Sequence, residues 1–347
     1  MTDTSSFSDV NLDGIQPPLP APELPLAPPI PRTGPPASEI AARSGITHLR
    51  YVGLAMADYE RALRFYEQVW GLYRIADGGN VAFLGAVGSP EPFILRVRAA
   101  TAPRTDIIAF GARDAAAVDG LAARLGVDDV RLIREPGKLN SPGGGYGLRF
   151  FDPEGRVVEV SADVGPKPYR ELQARESVPR KISHVVINSP DVPALMAFYQ
   201  RHLGFRLSDW LVDRMCFLRC SAEHHNLAIA HGSIPGLNHV SFEMRGIEEY
   251  LRGTGRLIRA GYQPLWGPGR HSAGDNTCAY FADPDRNVVE YTTELELVAD
   301  EDAWVPRVWS MDNVYADRWG TGGTGADLFA LAADVRADAG LWNAPPI

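Results

Sequence analysis

Two histidines and one glutamate have the types and spacing to do chemistry: His184 in KISHVVINSPDV, His239 in GLNHVSFEM and Glu290 in DPDRNVVEY. Each sits in its own apolar, strand-like run, at intervals of 55 and 51 residues. On neighbouring strands, two neutral imidazoles and one carboxylate form a facial triad. Such a triad holds one divalent ion from one side and leaves several positions open, the arrangement used by non-haem Fe(II) oxygenases. A lone strand histidine is ordinarily a satisfied core residue. Here the chain supplies its own control, a second copy of the same pattern that lacks two of the three.

That second copy is an internal repeat. LRYVGLAMADYERALRFYEQVWGL, from Leu49, parallels ISHVVINSPDVPALMAFYQRHLGF, from Ile182. Each is an apolar strand, an N-capping Asp58 or Asp191, an amphipathic helix, and a terminating Gly71 or Gly204. FFDPEGRVVEV and FADPDRNVVEY close the two copies, with Asp-Pro as a turn signal. In this alignment Tyr51 stands for His184, Ile107 for His239 and Glu159 for Glu290. The first copy keeps one ligand of three and is expected to be metal-free.

Within each copy a strand, a helix and about three strands occur twice. The expectation is an α+β fold of four βαβββ units in two modules, each curling a mixed sheet around a cleft. The boundaries read as a proline-rich arm 1–45, a first module 46–165, a linker 166–180, a second, catalytic module 181–297, and a tail 298–347. Proline fixes φ and removes donors, so the arm reads as extended, with no helix of its own. It is either a leader or an arm along a neighbouring subunit. Leu19, Leu24, Leu26 and Ile30 give it something to bury, which points to a homo-oligomer. The tail carries Trp304, Trp309 and Trp319. It is expected to pack on the second module or a subunit neighbour, with a short helix near Asp327 to Ala337.

A net charge of −9 excludes a basic nucleic-acid-binding face. No apolar run reaches membrane-spanning length. MTDTSSFSDVNLDG lacks the apolar stretch of a signal peptide, and three cysteines suit a reducing cytoplasm. Cys216 and Cys220 flank Phe217 and Leu218 in a strand pattern and read as buried apolar residues. Of eight histidines only His48 lies in the first half, which places the chemistry in the second.

The string GRHSAGDNTCAYFADPDRNVVEY carries His271, Tyr280, Asp283-Pro284 and Glu290 at the spacing of a known family. HHNLAIA supplies a paired histidine before a small apolar strand. With these motifs, residues 46 to 297 resemble the type I extradiol catechol dioxygenases of the vicinal oxygen chelate superfamily, which also have a metal-free first module. The resemblance implies Fe(II), with Mn(II) as the alternative, held by His184, His239 and Glu290. It implies a catechol-type aromatic substrate chelated through both hydroxyls, O2 as co-substrate, and a ring opened beside the diol.

The resemblance makes His225 the acid–base residue, by its spacing to Ala228, with His224 as the competing choice. Adjacent strand residues face opposite ways, so only one of the two enters the cleft. Tyr280 and His271 are expected to hydrogen-bond substrate oxygens. Asp275 and Asn276 would orient His271 or form a plain turn. Trp210, Phe242 and Trp266 would wall an aromatic pocket or pack in the core. The sequence departs from the pattern at Ala279 and at Arg286, which stands where the turn usually has glycine; neighbouring Asn287 tolerates left-handed geometry.

Two other readings remain. A glyoxalase-like isomerase or lyase, or a hydroquinone-type dioxygenase, could use the same scaffold. An isomerase typically needs a fourth ligand, and Glu159 is the only placed candidate. A metal-free binding protein would have no use for the triad.

Overall fold

The computed structural model describes residues 34–212, 214–310, 316–332 and 337–346. Among these, the first module forms a sheet of eight strands: β1 (Ile46–Met56), β2 (Tyr73–Asp77), β3 (Val81–Gly85), β4 (Leu95–Ala99), β5 (Arg104–Ala112), β6 (Leu132–Lys138), β7 (Tyr146–Phe151) and β8 (Val157–Ala162). The second forms a sheet of nine: β9 (Lys181–Ser189), β10 (Arg206–Leu211), β11 (Met215–Arg219), β12 (Leu227–His231), β13 (Gly236–Glu243), β14 (Trp266–Arg270), β15 (Thr277–Ala282), β16 (Val288–Thr292) and β17 (Arg307–Trp309). The spatial orders are β2-β3-β4-β1-β5-β8-β7-β6 and β14-β15-β16-β13-β9-β12-β11-β10-β17. The first strand of each unit pairs parallel with its last, and the two first strands of a module pair antiparallel. These are the four βαβββ units expected from the repeat.

Helix α1 spans Ala37–Ser44, and α2 (Tyr59–Arg64) runs on into a π-helical turn over Phe65–Trp70. Among the described residues, further helices are α3 (Ala115–Val127), α4 (Val192–Leu203), α5 (Ile247–Arg259) and α6 (Ala326–Ala332). Asp58 and Asp191 accept backbone N–H bonds at the starts of α2 and α4. Gly71 and Gly204 close the helices at φ 99° and 67°, where a side chain would be strained.

Helix α1 corrects the expectation of an arm extended throughout. The prolines stop at Pro36, and the following ASEIAARS consists mostly of residues that tolerate a helix. Residues 1–33, including the apolar positions assigned to a neighbouring subunit, lie outside the described residues.

The strands alternate between two buried faces, so they read as near-continuous apolar runs. Val185 and Ile187 join the main core with the helices, whereas His184, Val186 and Asn188 face the cleft. The modules interlock across a pseudo-symmetric seam. Tyr66 donates to Asp283 Oδ2 at 2.9 Å, and Tyr199 donates to Asp152 Oδ2 at 3.3 Å. Each module's helix thus clamps the other module's Asp-Pro turn. In those turns Gly155 and Arg286 hold the left-handed position, at φ 88° and 68°. Asn287, which tolerates left-handed geometry, does not take that position. Its amide instead donates to Asp283 Oδ2 at 2.9 Å, since the turn repeats by position and not by residue type.

The tail packs on both modules. Strand β17 adds parallel to β10, and α6 lies against β13, β14 and β16. Further on, the Asp338 carboxylate accepts from Thr105 N–H at 3.2 Å, and the Trp342 ring lies 5.5 Å from Phe151 in the first module. The expected helix extended to Ala337; it is observed over Ala326–Ala332, and 333–336 lie outside the described residues.

Candidate metal centre

His184, His239 and Glu290 come from β9, β13 and β16, which are adjacent in the sheet. Glu290 Oε2 lies 3.0 Å from His184 Nε2 and 3.4 Å from His239 Nε2. Among the described residues this is the one group of three or more His, Cys, Asp or Glu whose ligand atoms all lie within 4.8 Å of one another. An ion bonded at about 2.1 Å sets neighbouring ligand atoms about 3 Å apart. Glu290 is fully buried, and neither its Oε1 nor His239 Nε2 has a hydrogen-bond partner. A buried carboxylate without a counter-charge is costly, and a divalent cation is what this donor set fits. Burial alone would raise the Glu290 carboxyl, but the two imidazoles outweigh it and keep the group ionised. Burial pulls His184 below the usual imidazole value, which favours the neutral, ligating form.

The first module shows what fills the same place without an ion. Tyr280 pairs with Glu290 in register between β15 and β16; at the matching place between β7 and β8, Arg149 pairs with Glu159. Arg149 Nε sits 2.7 Å from Glu159 Oε2. Tyr51 and Ile107 pack there with Phe93 and Ala109 in an apolar cluster. A guanidinium provides the positive charge, and apolar rings occupy the remaining space.

A cavity of about 510 Å³ opens from the His184 and His239 side of the triad. Its walls include Val186, Phe217, Trp266, Trp309, Leu328 and Phe329, so tail residues form part of the enclosure. His225, beside β12, lines the cavity with its ring centroid 4.3 Å from that of His184. Burial and the surrounding imidazoles hold it well below the usual histidine value. His224 turns the other way, into full burial, with Nε2 3.1 Å from Asp209 Oδ2.

His271 and Tyr280 both reach the cavity and meet each other, Nε2 to hydroxyl at 2.7 Å. His271 was expected to bond a substrate oxygen; in this arrangement its Nε2 engages Tyr280. Burial first, and Glu290 second, push the Tyr280 hydroxyl well above the usual phenol range.

Of the three aromatic wall residues expected, Trp266 lines the cavity. Phe242 packs in the core, 5.5 Å from Trp70, and Trp210 packs partly buried against the same core. Asp275 pairs with Arg270 and Arg318, and the Asn276 amide donates to Thr292 Oγ1 at 2.9 Å. Both are turn residues, and the His271 N–H donates to the Asn276 carbonyl.

Sequence reasoning missed Asp209, Asn188 and Asn238. Asn238 Oδ1 lies 2.8 Å from His239 Nδ1, and an amide directly before a ligand histidine was the one available signal. Cys216, Cys220 and Cys278 are free and buried. Among the described residues no helix is long and apolar enough to cross a membrane.

A duplicated, curled mixed sheet with one ligand-bearing cleft defines the vicinal oxygen chelate scaffold. Residues 45–160 and 181–291 each match the Glyoxalase/Bleomycin resistance protein/Dioxygenase superfamily, and the chain belongs to it. Metapyrocatechase 2 of Cupriavidus necator is 30% identical over 207 residues, covering 53% of this chain and 63% of that protein. Metapyrocatechase of Pseudomonas sp. (strain CF600) is 26% identical over 264 residues, covering 71% and 85%. The Mn(II)-bound glyoxalase from Novosphingobium aromaticivorans superposes with a TM-score of 0.82 at 41% identity, covering 86% of this chain and 97% of that one.

Proposed function

We propose that the protein is an extradiol dioxygenase, which cleaves the aromatic ring of a catechol-type substrate beside its diol and places both atoms of O2 in the product. The observation that carries this reading is the buried, uncompensated His184–His239–Glu290 set at the end of an apolar cavity that also receives His225 and Tyr280. Fe(II), or Mn(II) in its place, would supply open positions for both diol oxygens and for O2, together with the electron transfer between them.

The chain's own residues do the rest. The apolar walls position the ring and exclude water. Neutral His225 takes a proton from a diol hydroxyl and returns it as the ring opens. The Tyr280 hydroxyl, held by His271, contacts the other diol oxygen. The metapyrocatechase relatives support this substrate class. The protein works as a soluble cytoplasmic homo-oligomer.

The Mn(II)-bound glyoxalase neighbour favours a second reading, an isomerase or lyase on the same scaffold. Such enzymes typically need a fourth protein ligand. Glu159, the candidate from sequence, is paired with Arg149 in the other module.

Anaerobic loading with Fe(II) or Mn(II), then oxygen-electrode screening of a catechol panel with bicyclic and carboxylated diols, tests the proposal. Diol-dependent O2 uptake, lost together with the ion in His239→Ala, is expected. A metal-loaded protein that consumes no O2 with any diol overturns it, and a His239→Ala variant that keeps full turnover does the same.

A further inference from the structure

Two cavity histidines trace their outer hydrogen bonds to the C-terminal segment, beyond the residues that match the superfamily, and a third reaches it through a close ionic contact. His271 Nδ1 lies 2.8 Å from the Ala316 carbonyl. His239 Nδ1 lies 2.8 Å from Asn238 Oδ1; Asn238 Nδ2 donates to Asn188 Oδ1 at 2.9 Å, and Asn188 Nδ2 donates to the Ala332 carbonyl at 2.7 Å. His225 Nδ1 lies 3.0 Å from His224 Nδ1, and His224 Nε2 lies 3.1 Å from Asp209 Oδ2. This last approach is oblique, closer to an ionic contact than to a straight hydrogen bond. Asp209 is fixed by the tail: Trp309 Nε1 donates to Oδ2 at 2.6 Å, and the Arg307 backbone N–H to Oδ1 at 2.8 Å.

Every chain ends on a group that accepts and cannot donate, which sets the direction of each bond behind it. The Ala316 carbonyl requires a proton on His271 Nδ1. The Ala332 carbonyl turns the Asn188 amide, which turns that of Asn238, which requires a proton on His239 Nδ1. The Asp209 carboxylate draws a proton to His224 Nε2. His224 Nδ1 then accepts, and His225 Nδ1 must donate. In all three cases the ring shows a bare Nε2 lone pair to the cavity: one to ligate, one to take a proton, one to hold the Tyr280 hydroxyl.

We propose that the C-terminal segment sets the tautomers of His225, His239 and His271, with Asp209 and Asn188 as positioning residues that carry its influence into the cavity. The tautomer pattern stands apart from the ring-cleaving reading; its kinetic consequence rests on that reading.

The test is nitrogen-15 imidazole NMR on the full chain, with Zn(II) as a diamagnetic ion. Protons on Nδ1 are expected at His225 and His271; at His239 zinc on Nε2 enforces the same form, so its signal serves as the internal reference. In Asp209→Asn the amide can offer N–H to His224, which inverts that chain alone. The His225 proton should then move to Nε2 while His239 and His271 keep theirs. With iron and an accepted diol, this variant should lose about 10²- to 10⁴-fold in kcat with little change in KM. Nε2–H at His225 in the unmodified chain, or an unmoved His225 signal in folded Asp209→Asn, overturns the inference. If Asp209→Asn does not fold, Trp309→Phe keeps the ring and removes the donor. It should give His225 as a mixture of tautomers, and an unchanged spectrum overturns the tail's part. A protein that oxidises no diol yet shows the expected tautomers refutes the dioxygenase reading and leaves this one intact.

Discussion

His225 has geometry suited to proton transfer without being one of the three candidate metal ligands. It lines the cavity, is buried, and is kept neutral by its surroundings. His225→Gln should therefore retain the ion, measured by metal content, while kcat for O2 uptake falls about 10²- to 10⁴-fold. A variant with normal turnover would remove the proton-transfer role. The triad itself was legible in the sequence because ligation restricts residue type, and the repeat exposed which positions had changed. Strand alternation allowed only one of His224 and His225 into the cleft, and the family's spacing to Ala228 pointed to His225. The partnership of His271 with Tyr280 had no such signal, because it depends on a loop after β14 reaching back to β15.

The pairing of β7 with β8 explains how the first module manages a buried glutamate. Arg149→Met would leave Glu159 charged and alone, and should destabilise the protein by about 3–5 kcal/mol in urea denaturation. Arg149→Met with Glu159→Leu should recover most of that loss, since an apolar pair of similar volume avoids the desolvation cost. A double variant no better than the single one would show that the carboxylate is not the source of the effect. Most of the strands and helices were readable from apolar runs, N-capping aspartates and closing glycines. The exceptions have physical reasons. Helix α1 hid behind a proline run, and Arg286 occupies a conformation that the sequence pattern assigns to glycine or asparagine.

The seam between the modules carries a titrating group. Burial raises the Asp283 carboxyl to about 6; Asn287 and Tyr66, both uncharged, only partly offset it. Its twin Asp152 has Arg156 beside it at 3.1 Å. A carboxyl raised on folding binds its proton more tightly in the native state, so its contribution is complete below about pH 4 and is lost as pH rises through about 6. The stability of the wild type relative to Asp283→Asn should fall by up to about 3 kcal/mol across that range and stay flat above it. Denaturation midpoints for both proteins from pH 4 to 8 would check this, and a difference that is level or rising would refute it. The tail was the least readable part. Its tryptophans announced that it packs, but the backbone carbonyls it offers to distant histidines leave no trace in residue type.

The arginine beside Glu159 has one last consequence. That half of the molecule carries its counter-ion on one of its own side chains and is indifferent to metal supply. On the proposed reading the other half must collect one from its surroundings, so scarcity of metal falls on a single half of an otherwise matched pair.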